Sequence, residues 1–308
     1  MKRILVLYYT QTGQLGRIVR SVMKPFEARS DIEVTYEVLA SRKPYPFPWP
    51  IIRFFDQFPE CVYLDAPEME PFKFDPSVDY DLIVLGYQTW YLSPSLPTTG
   101  FLKSPEAAQV MRGKPVVTVI GCRNMWLMSQ MVVRKIISEL GGRLIGNIAL
   151  IDQGNSAETF VTVVVWLLFG KREIWKGVLS PAGVAENKIE GASHYGEQLL
   201  AGLDDGRIAR GEAVLDPAEA SPVNPSLVVG EKLAIRSFKV WGWIVRLAGR
   251  QGSWLRIPLL GAYALFLGIV IVTILPITVL ARWLLSYLPP YRKWLERQVE
   301  LNQNCLAR

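Results

Sequence analysis

The sequence predicts an α/β protein, a three-layer sandwich around a five-stranded parallel sheet, followed by a membrane-associated helical tail. Three observations predict it. Short apolar runs of strand length, Ile4-Leu5-Val6-Leu7, Leu82-Ile83-Val84-Leu85 and 115–121, lack the in-out alternation of a half-exposed sheet and read as strands buried on both faces. Stretches with helical spacing separate these runs, the pattern of parallel strands joined by crossover helices. Residues 257–281 then run for twenty-five positions without a charge, long enough at ~1.5 Å per residue to cross a hydrocarbon layer ~30 Å thick.

In chain order the expected elements are a strand at 3–9, a helix at 13–27 and strands at 32–39 and 81–86. A helix at 97–111, a strand at 115–121, a helix at 125–141, a strand at 143–151 and a helix at 184–203 follow. Gly141-Gly142 ends one helix as C-terminal glycines do, and Gly113-Lys114-Pro115 introduces the next strand. Two insertions interrupt this plan. Residues 41–78 interleave Pro44, Pro46, Pro48 and Pro50 with Tyr45, Phe47, Trp49, Phe54 and Phe55, which opposes a regular helix through their first part. The segment is a lid over the site or a connector covering a sheet edge. Residues 152–183 centre on the apolar run 160–169, too short to span a bilayer, which lines an apolar substrate channel, dips into lipid or joins the core.

The domain is expected to occupy 1–205, with a Pro- and Ser-containing linker at 206–228 and the tail at 229–308. Charge divides at the same place. Residues 1–228 hold 23 Lys and Arg against 25 Asp and Glu, whereas 229–308 hold 11 against 3, so the basic balance belongs to the tail. With a near-neutral domain and no zinc-finger, RNA-recognition or helix-turn-helix signature, nucleic acid is not an expected partner. Lys232, Arg236, Lys239, Arg246 and Arg250 instead form one face of an amphipathic helix with interfacial tryptophans, the type that lies on anionic lipid. Basic residues flank 257–281 on both sides, and Pro258 and Pro276 interrupt it, so crossing, re-entry and steep tilt stay open. Cys61, Cys122 and Cys305 offer neither a disulfide framework nor metal-ligand spacing. Met1-Lys2-Arg3 precedes an apolar run that is short and without a cleavage site. The expected location is therefore the cytoplasmic face of a membrane, held by the tail, with no metal.

The chemistry sits in three loops at strand ends. After the first strand comes Thr10-Gln11-Thr12-Gly13-Gln14-Leu15, which lacks both the G-x-G-x-x-G of a pyrophosphate site and the G-x-x-x-x-G-K-[ST] of a nucleotide P-loop. The Thr10, Gln11 and Thr12 side chains, with backbone N–H groups at the positive end of the next helix, are expected to surround a single phosphate. An ordinary capped helix after a strand is the alternative. The second loop is Tyr87-Gln88-Thr89-Trp90-Tyr91, and the third is Gly121-Cys122-Arg123-Asn124-Met125. The hydroxyl-rich T-x-T-G resembles the flavodoxin family, whose phosphate loop carries [ST]-x-T-G for FMN. That resemblance, over about residues 1–205, implies the strand order 2-1-3-4-5. It also implies an aromatic ring, Trp90 or Tyr91, against the isoalloxazine, and a third loop whose backbone meets the polar edge of the flavin.

The opening MKRILVLYYTQTGQLGRIVRSV, the Pro/aromatic insertion and the apolar tail more closely resemble the dialkylresorcinol condensing enzymes. Members of that family are associated with a ketosynthase-like partner enzyme that builds an alkylated cyclohexanedione. The resemblance implies that this chain aromatises it, hydride passing to flavin N5. A condensing role of its own fits these residues poorly: neither a Cys-His-His nor a Cys-His-Asn arrangement is found, and one histidine cannot supply two. Candidate acid–base groups are Tyr91 and Tyr87 in the second loop and His194 in the last helix of the domain. The competing readings are an NAD(P)H-dependent quinone reductase and an electron-transfer flavodoxin. Carriers usually present strongly acidic docking faces, which a near-neutral domain lacks. An apolar small molecule is the expected substrate, self-association is left open, and the flavin-binding unit is expected to stand without 229–308.

Overall fold

The computed structural model describes residues 1–154, 158–274, 277, 284–285, 287–291, 293–294 and 297. Its elements are β1 (Lys2–Tyr8), α1 (Gln14–Glu27), β2 (Ile32–Val38), α2 (Ile51–Asp56), α3 (Phe58–Tyr63), β3 (Leu82–Tyr87), β4 (Thr89–Trp90), β5 (Ser93–Pro94), α4 (Leu96–Leu102) and α5 (Pro105–Met111). There follow β6 (Pro115–Cys122), α6 (Leu127–Glu139), β7 (Arg143–Ile151), α7 (Glu158–Phe169), α8 (Glu186–Gly191), α9 (Ser193–Asp204), α10 (Arg207–Arg210), α11 (Pro217–Ala220), α12 (Pro225–Leu247) and α13 (Arg256–Ile269).

Five strands form one parallel sheet in the order β2-β1-β3-β6-β7. The expected 2-1-3-4-5 differs in its numbering, because Thr89–Trp90 and Ser93–Pro94 pair as a separate antiparallel hairpin between the third and fourth strands of the sheet. Alternation along each strand builds two cores. Ile4, Val6, Leu82, Val84, Val117 and Val119 pack against α1 and α9 through Ile18, Val22 and Leu199. Leu5, Leu7, Ile83, Leu85 and Ile120 pack on the other face against Phe101, Val110, Val133 and Ile137 of α4, α5 and α6. Both faces are covered, as a parallel sheet requires.

The expected helix at 97–111 is broken into α4 and α5, because Ser104 caps a new helix by accepting the N–H of Ala107 while Pro105 takes its first position. The expected helix at 184–203 likewise divides into α8 and α9.

A third core lies outside the sandwich. Phe58 and Val62 of α3 meet Val245 of α12 and Leu260 and Tyr263 of α13, with the Tyr63 hydroxyl donating to Lys239 O. α12 begins at Pro225, inside the stretch expected as linker, and α13 continues into a π-helical turn, Val270–Ile274. Within the charge-free run 257–281, residues 275, 276 and 278–281 lie outside the described residues, as does most of the tail beyond them. Arg256–Thr273 is long and apolar enough to cross a membrane by length and composition, and only 17% of it is buried within the protein.

Candidate functional site

β1 lies beside β3 and β3 beside β6, all parallel, so the loops after them stand side by side on the carboxyl edge of the sheet. Ligands of open α/β sheets bind at this edge. In the first loop Gly13 (φ +81°) turns the chain in a left-handed conformation and starts α1 without a side-chain cap. Thr10 Oγ1 beside it is buried with no hydrogen-bond partner among the described residues, and so are Gln88 Oε1 and Thr89 Oγ1 in the second loop. Buried polar groups are almost always satisfied. Three orphaned acceptors or hydroxyls on adjacent loops, at a helix N-terminus, fit a bound polar group of the phosphate-ribityl kind. Thr12 is half-buried in the same turn.

The amides of this loop are used differently from expectation. Gln11 Nε2 donates to Pro46 O at 3.0 Å, and the Gln14 amide both donates to Val184 O (3.2 Å) and accepts from Val184 N (3.0 Å). Both side chains hold the insertions in place, leaving the hydroxyls and backbone to face a ligand. Leu15 is buried in the core beneath. The insertions also hold each other: Trp49 N donates to Leu167 O at 2.8 Å, and Phe47 meets Trp166 edge to face. Residues 45–50 and α7 thus arch over the first loop, while Phe72 and Phe74 of the same insertion pack on Phe101 of the sandwich. Lid and connector are two parts of one segment. In α7, Thr159 and Thr162 are buried while Val161 and Phe169 are exposed.

Of the second-loop aromatics, Trp90 stays at the site. Its ring stands edge-on to Tyr9, Tyr45 and Trp49, with centroids 5.1–5.6 Å apart, in an aromatic wall beside the first loop. Tyr91 does not. A positive φ (+49°) turns it away, its hydroxyl donates to Phe54 O, and its ring joins Phe54, Phe58 and Phe238 in the third core. Tyr87 points into the sandwich, where its hydroxyl donates to Gln130 Oε1 at 2.6 Å. Burial pushes both phenols well above their usual range, and each hydroxyl is already committed to an acceptor inside the protein, Gln130 or Phe54, away from the first loop. His194 is exposed on α9 beside Gln198 and Glu219, neither of which belongs to these loops.

In the third loop Gly121 lies so close to α1 that a Cβ would fall 2.8 Å from Ile18 Cδ1. Burial keeps the Cys122 thiol protonated, Arg123 Nε donates to Thr159 Oγ1 at 3.1 Å, and Asn124 and Met125 are half-buried. Burial also lowers the Arg123 guanidinium to about 10.

Sequence reasoning missed two carboxylates. Asp152, at the end of β7, donates its backbone N–H to Cys122 O at 2.9 Å and receives the N–H of Gly183 on its side chain. Desolvation raises it to about 6, against the pull of Gly183, Arg123 and Arg172. Arg172 in turn ties the roof down through Ala182 O (2.7 Å) and Val184 O (3.0 Å). Glu231 of α12 is buried, and its carboxylate takes backbone N–H groups at the start of α6, just after the third loop. Among the described residues no cluster of three metal-ligating side chains occurs.

No protein-family model matches the chain, and no curated protein matches it by sequence. Among solved structures, the chain is similar to a flavoprotein in complex with FMN from Lactobacillus acidophilus NCFM, at 17% identity and a TM-score of 0.37, over 48% of this chain and 93% of that one. It is also similar to a flavodoxin, WrbA-like protein from Agrobacterium tumefaciens, at 11% identity and a TM-score of 0.39, over 67% and 99%. A flavodoxin bound to flavin mononucleotide from Fusobacterium nucleatum matches at 12% identity and a TM-score of 0.31, over 65% and 98%. Independently of these, five parallel strands ordered β2-β1-β3-β6-β7, with helices on both faces, make the sandwich flavodoxin-like in topology.

Proposed function

We propose that this chain is an FMN-dependent oxidoreductase working at a membrane surface, and that it aromatises an alkylated cyclohexanedione to a dialkylresorcinol. The observation that carries the flavin reading is the set of orphaned polar atoms, Thr10 Oγ1, Gln88 Oε1 and Thr89 Oγ1, at the ends of β1 and β3. The Thr10–Gly13 turn would take the phosphate, and Trp90, backed by Tyr9, Tyr45 and Trp49, would bound the ring system. FMN, when bound, supplies hydride acceptance at N5.

Aromatisation removes one hydride and one proton from the dione, and the protein must provide for the proton. Asp152 is suited to this. It stands on the site rim with its carboxyl at about 6, near the pH at which it both accepts and releases protons. The apolar wall suits alkyl substituents, and the exposed Trp243, Leu247, Trp254 and Leu265 of α12, α13 and the turn between them suit delivery from lipid. A ketosynthase-like enzyme is the expected supplier of the dione.

The test is spectroscopic. Protein purified in detergent should carry an oxidised flavin spectrum that bleaches anaerobically on adding a dialkylcyclohexanedione, with the resorcinol as product. Bleaching by NADPH alone assigns the quinone-reductase reading instead. A colourless protein that takes up no FMN overturns both.

A further inference from the structure

Where α12 passes into α13, the fold makes an open cavity of about 540 Å³ lined by Glu60, Asp65, Arg246, Gly249, Arg250 and Gln251. Two guanidiniums and two carboxylates are among its lining groups. The walls are held from behind. Arg256, fully buried, pairs with Asp56 Oδ1 at 3.1 Å and Glu60 Oε1 at 3.0 Å, and Asp56 Oδ2 accepts the N–H of Gly252 at 2.7 Å. Arg246 is fixed by Asp65 at 3.3 Å and lies over the Tyr63 ring, its carbon 4.5 Å from the centroid. Arg250 pairs with no carboxylate among the described residues. Glu60 accepts from Arg256 through both oxygens, whereas the Arg246 ion pair engages Asp65 through Oδ2, so the cavity offers the Arg250 cation to an anionic group and the Asp65 carboxylate to a hydrogen-bond donor.

Its surroundings indicate what occupies it. Arg256 opens the apolar stretch Arg256–Thr273, so the cavity lies at the end of the one described helix long and apolar enough to enter a bilayer. Leu247 (68% exposed), Trp254 (75%) and Leu255 (50%) flank it in sequence, an apolar fringe with an interfacial tryptophan around a charged centre. A protein group at this level meets lipid headgroups.

We infer that the cavity binds the headgroup of a phospholipid carrying a phosphate and a primary ammonium, the phosphatidylethanolamine class. The phosphate sits on Arg250 and the outer edge of Arg246, and the ammonium on the Asp65 carboxylate. Equal numbers of opposite charges favour a zwitterion over an anionic lipid. That carboxylate accepts hydrogen bonds from –NH3+ that a trimethylammonium cannot donate. This rests on the reading that α13 enters the membrane.

Full-length protein is reconstituted into nanodiscs with equimolar phosphatidylethanolamine, phosphatidylcholine and phosphatidylglycerol, released, and weighed by native mass spectrometry. The expected result is a single phosphatidylethanolamine adduct at least fivefold more abundant than either other lipid. Arg250→Glu and Asp65→Asn should each bring the three to equal occupancy, while Lys232→Glu, outside the cavity, should not. Equal retention by the wild type, a preference for phosphatidylglycerol, or variants that keep the wild-type ratio overturn the proposal. Flotation with pure phosphatidylcholine vesicles separates the two readings. Flotation without lipid selectivity leaves the membrane reading standing and removes the headgroup site, and absence of flotation with any vesicle removes both.

Discussion

Glu231, on the first long helix of the tail, accepts the backbone N–H of Met128 at 2.9 Å and so caps α6 where the third loop ends. A helix start left open by its own sequence is closed by a residue about a hundred positions away. Among the described residues, α12 therefore takes part in building the edge of the candidate site.

Truncation after residue 228 should expose this dependence. It removes the α6 cap and bares Phe58, Val62 and Tyr91 of the third core. The expected product aggregates or binds FMN at least tenfold more weakly than full-length protein, measured by fluorescence quenching on titration. A soluble fragment with unchanged affinity would return the tail to the role of anchor.

The Glu231 carboxyl is raised from about 4.5 to about 7, chiefly by burial. Unfolded, it ionises at the lower value, so between these two pH values the folded state holds the extra proton and stability falls as pH rises. Below and above that window the contribution is flat. The whole effect is on the order of 3 kcal/mol. Melting temperature against pH should decline across the window in the wild type and flatten in Glu231→Gln.

Thr12→Asp places a carboxylate against the expected phosphate. FMN affinity should fall at least ~100-fold, about 2.7 kcal/mol, with far-ultraviolet circular dichroism unchanged. Thr12→Ser should bind normally. Retention of flavin by the aspartate variant would move the phosphate elsewhere.

Asp152→Asn should keep the flavin spectrum and lose turnover by roughly 100-fold. Wild-type kcat should rise through pH about 6 as the carboxyl ionises, and the variant should lose that limb. A shifted limb with full activity would make Asp152 a structural acid.

Arg256→Ala leaves Asp56 and Glu60 buried beside an empty place. Breaking such a pair costs about 3–5 kcal/mol, whereas replacing all partners by neutral groups is far milder. Thermal unfolding in detergent should show Arg256→Ala well below the triple variant Asp56→Asn, Glu60→Gln, Arg256→Met.

The strands and the three loops were legible because continuous burial writes itself as apolar runs, and the loops follow where those runs stop. Trp90 was named only through the resemblance, as one of two aromatics in the second loop. The placements of Tyr87 and Tyr91 were not legible. Whether an aromatic at a strand end points to the rim or into a core depends on strand alternation and on the positive φ at Tyr91 and Leu92, which no spacing reveals. Asp152 belongs to no motif. Its raised carboxyl comes from burial, beneath the third loop and the second insertion, which bring Arg123, Arg172 and Gly183 over it and only partly offset the desolvation. Glu231 was masked by its neighbours, an acid among lysines and arginines that reads as part of a solvated face until the helix is docked.

The arch over the first loop is pinned at Gln11–Pro46, Gln14–Val184 and Trp49–Leu167. Any flavin beneath it can depart only after these fastenings open, so its residence time is set by the two insertions and not by its own contacts. Shortening either insertion should therefore speed the release of added FMN, read as faster recovery of flavin fluorescence after dilution.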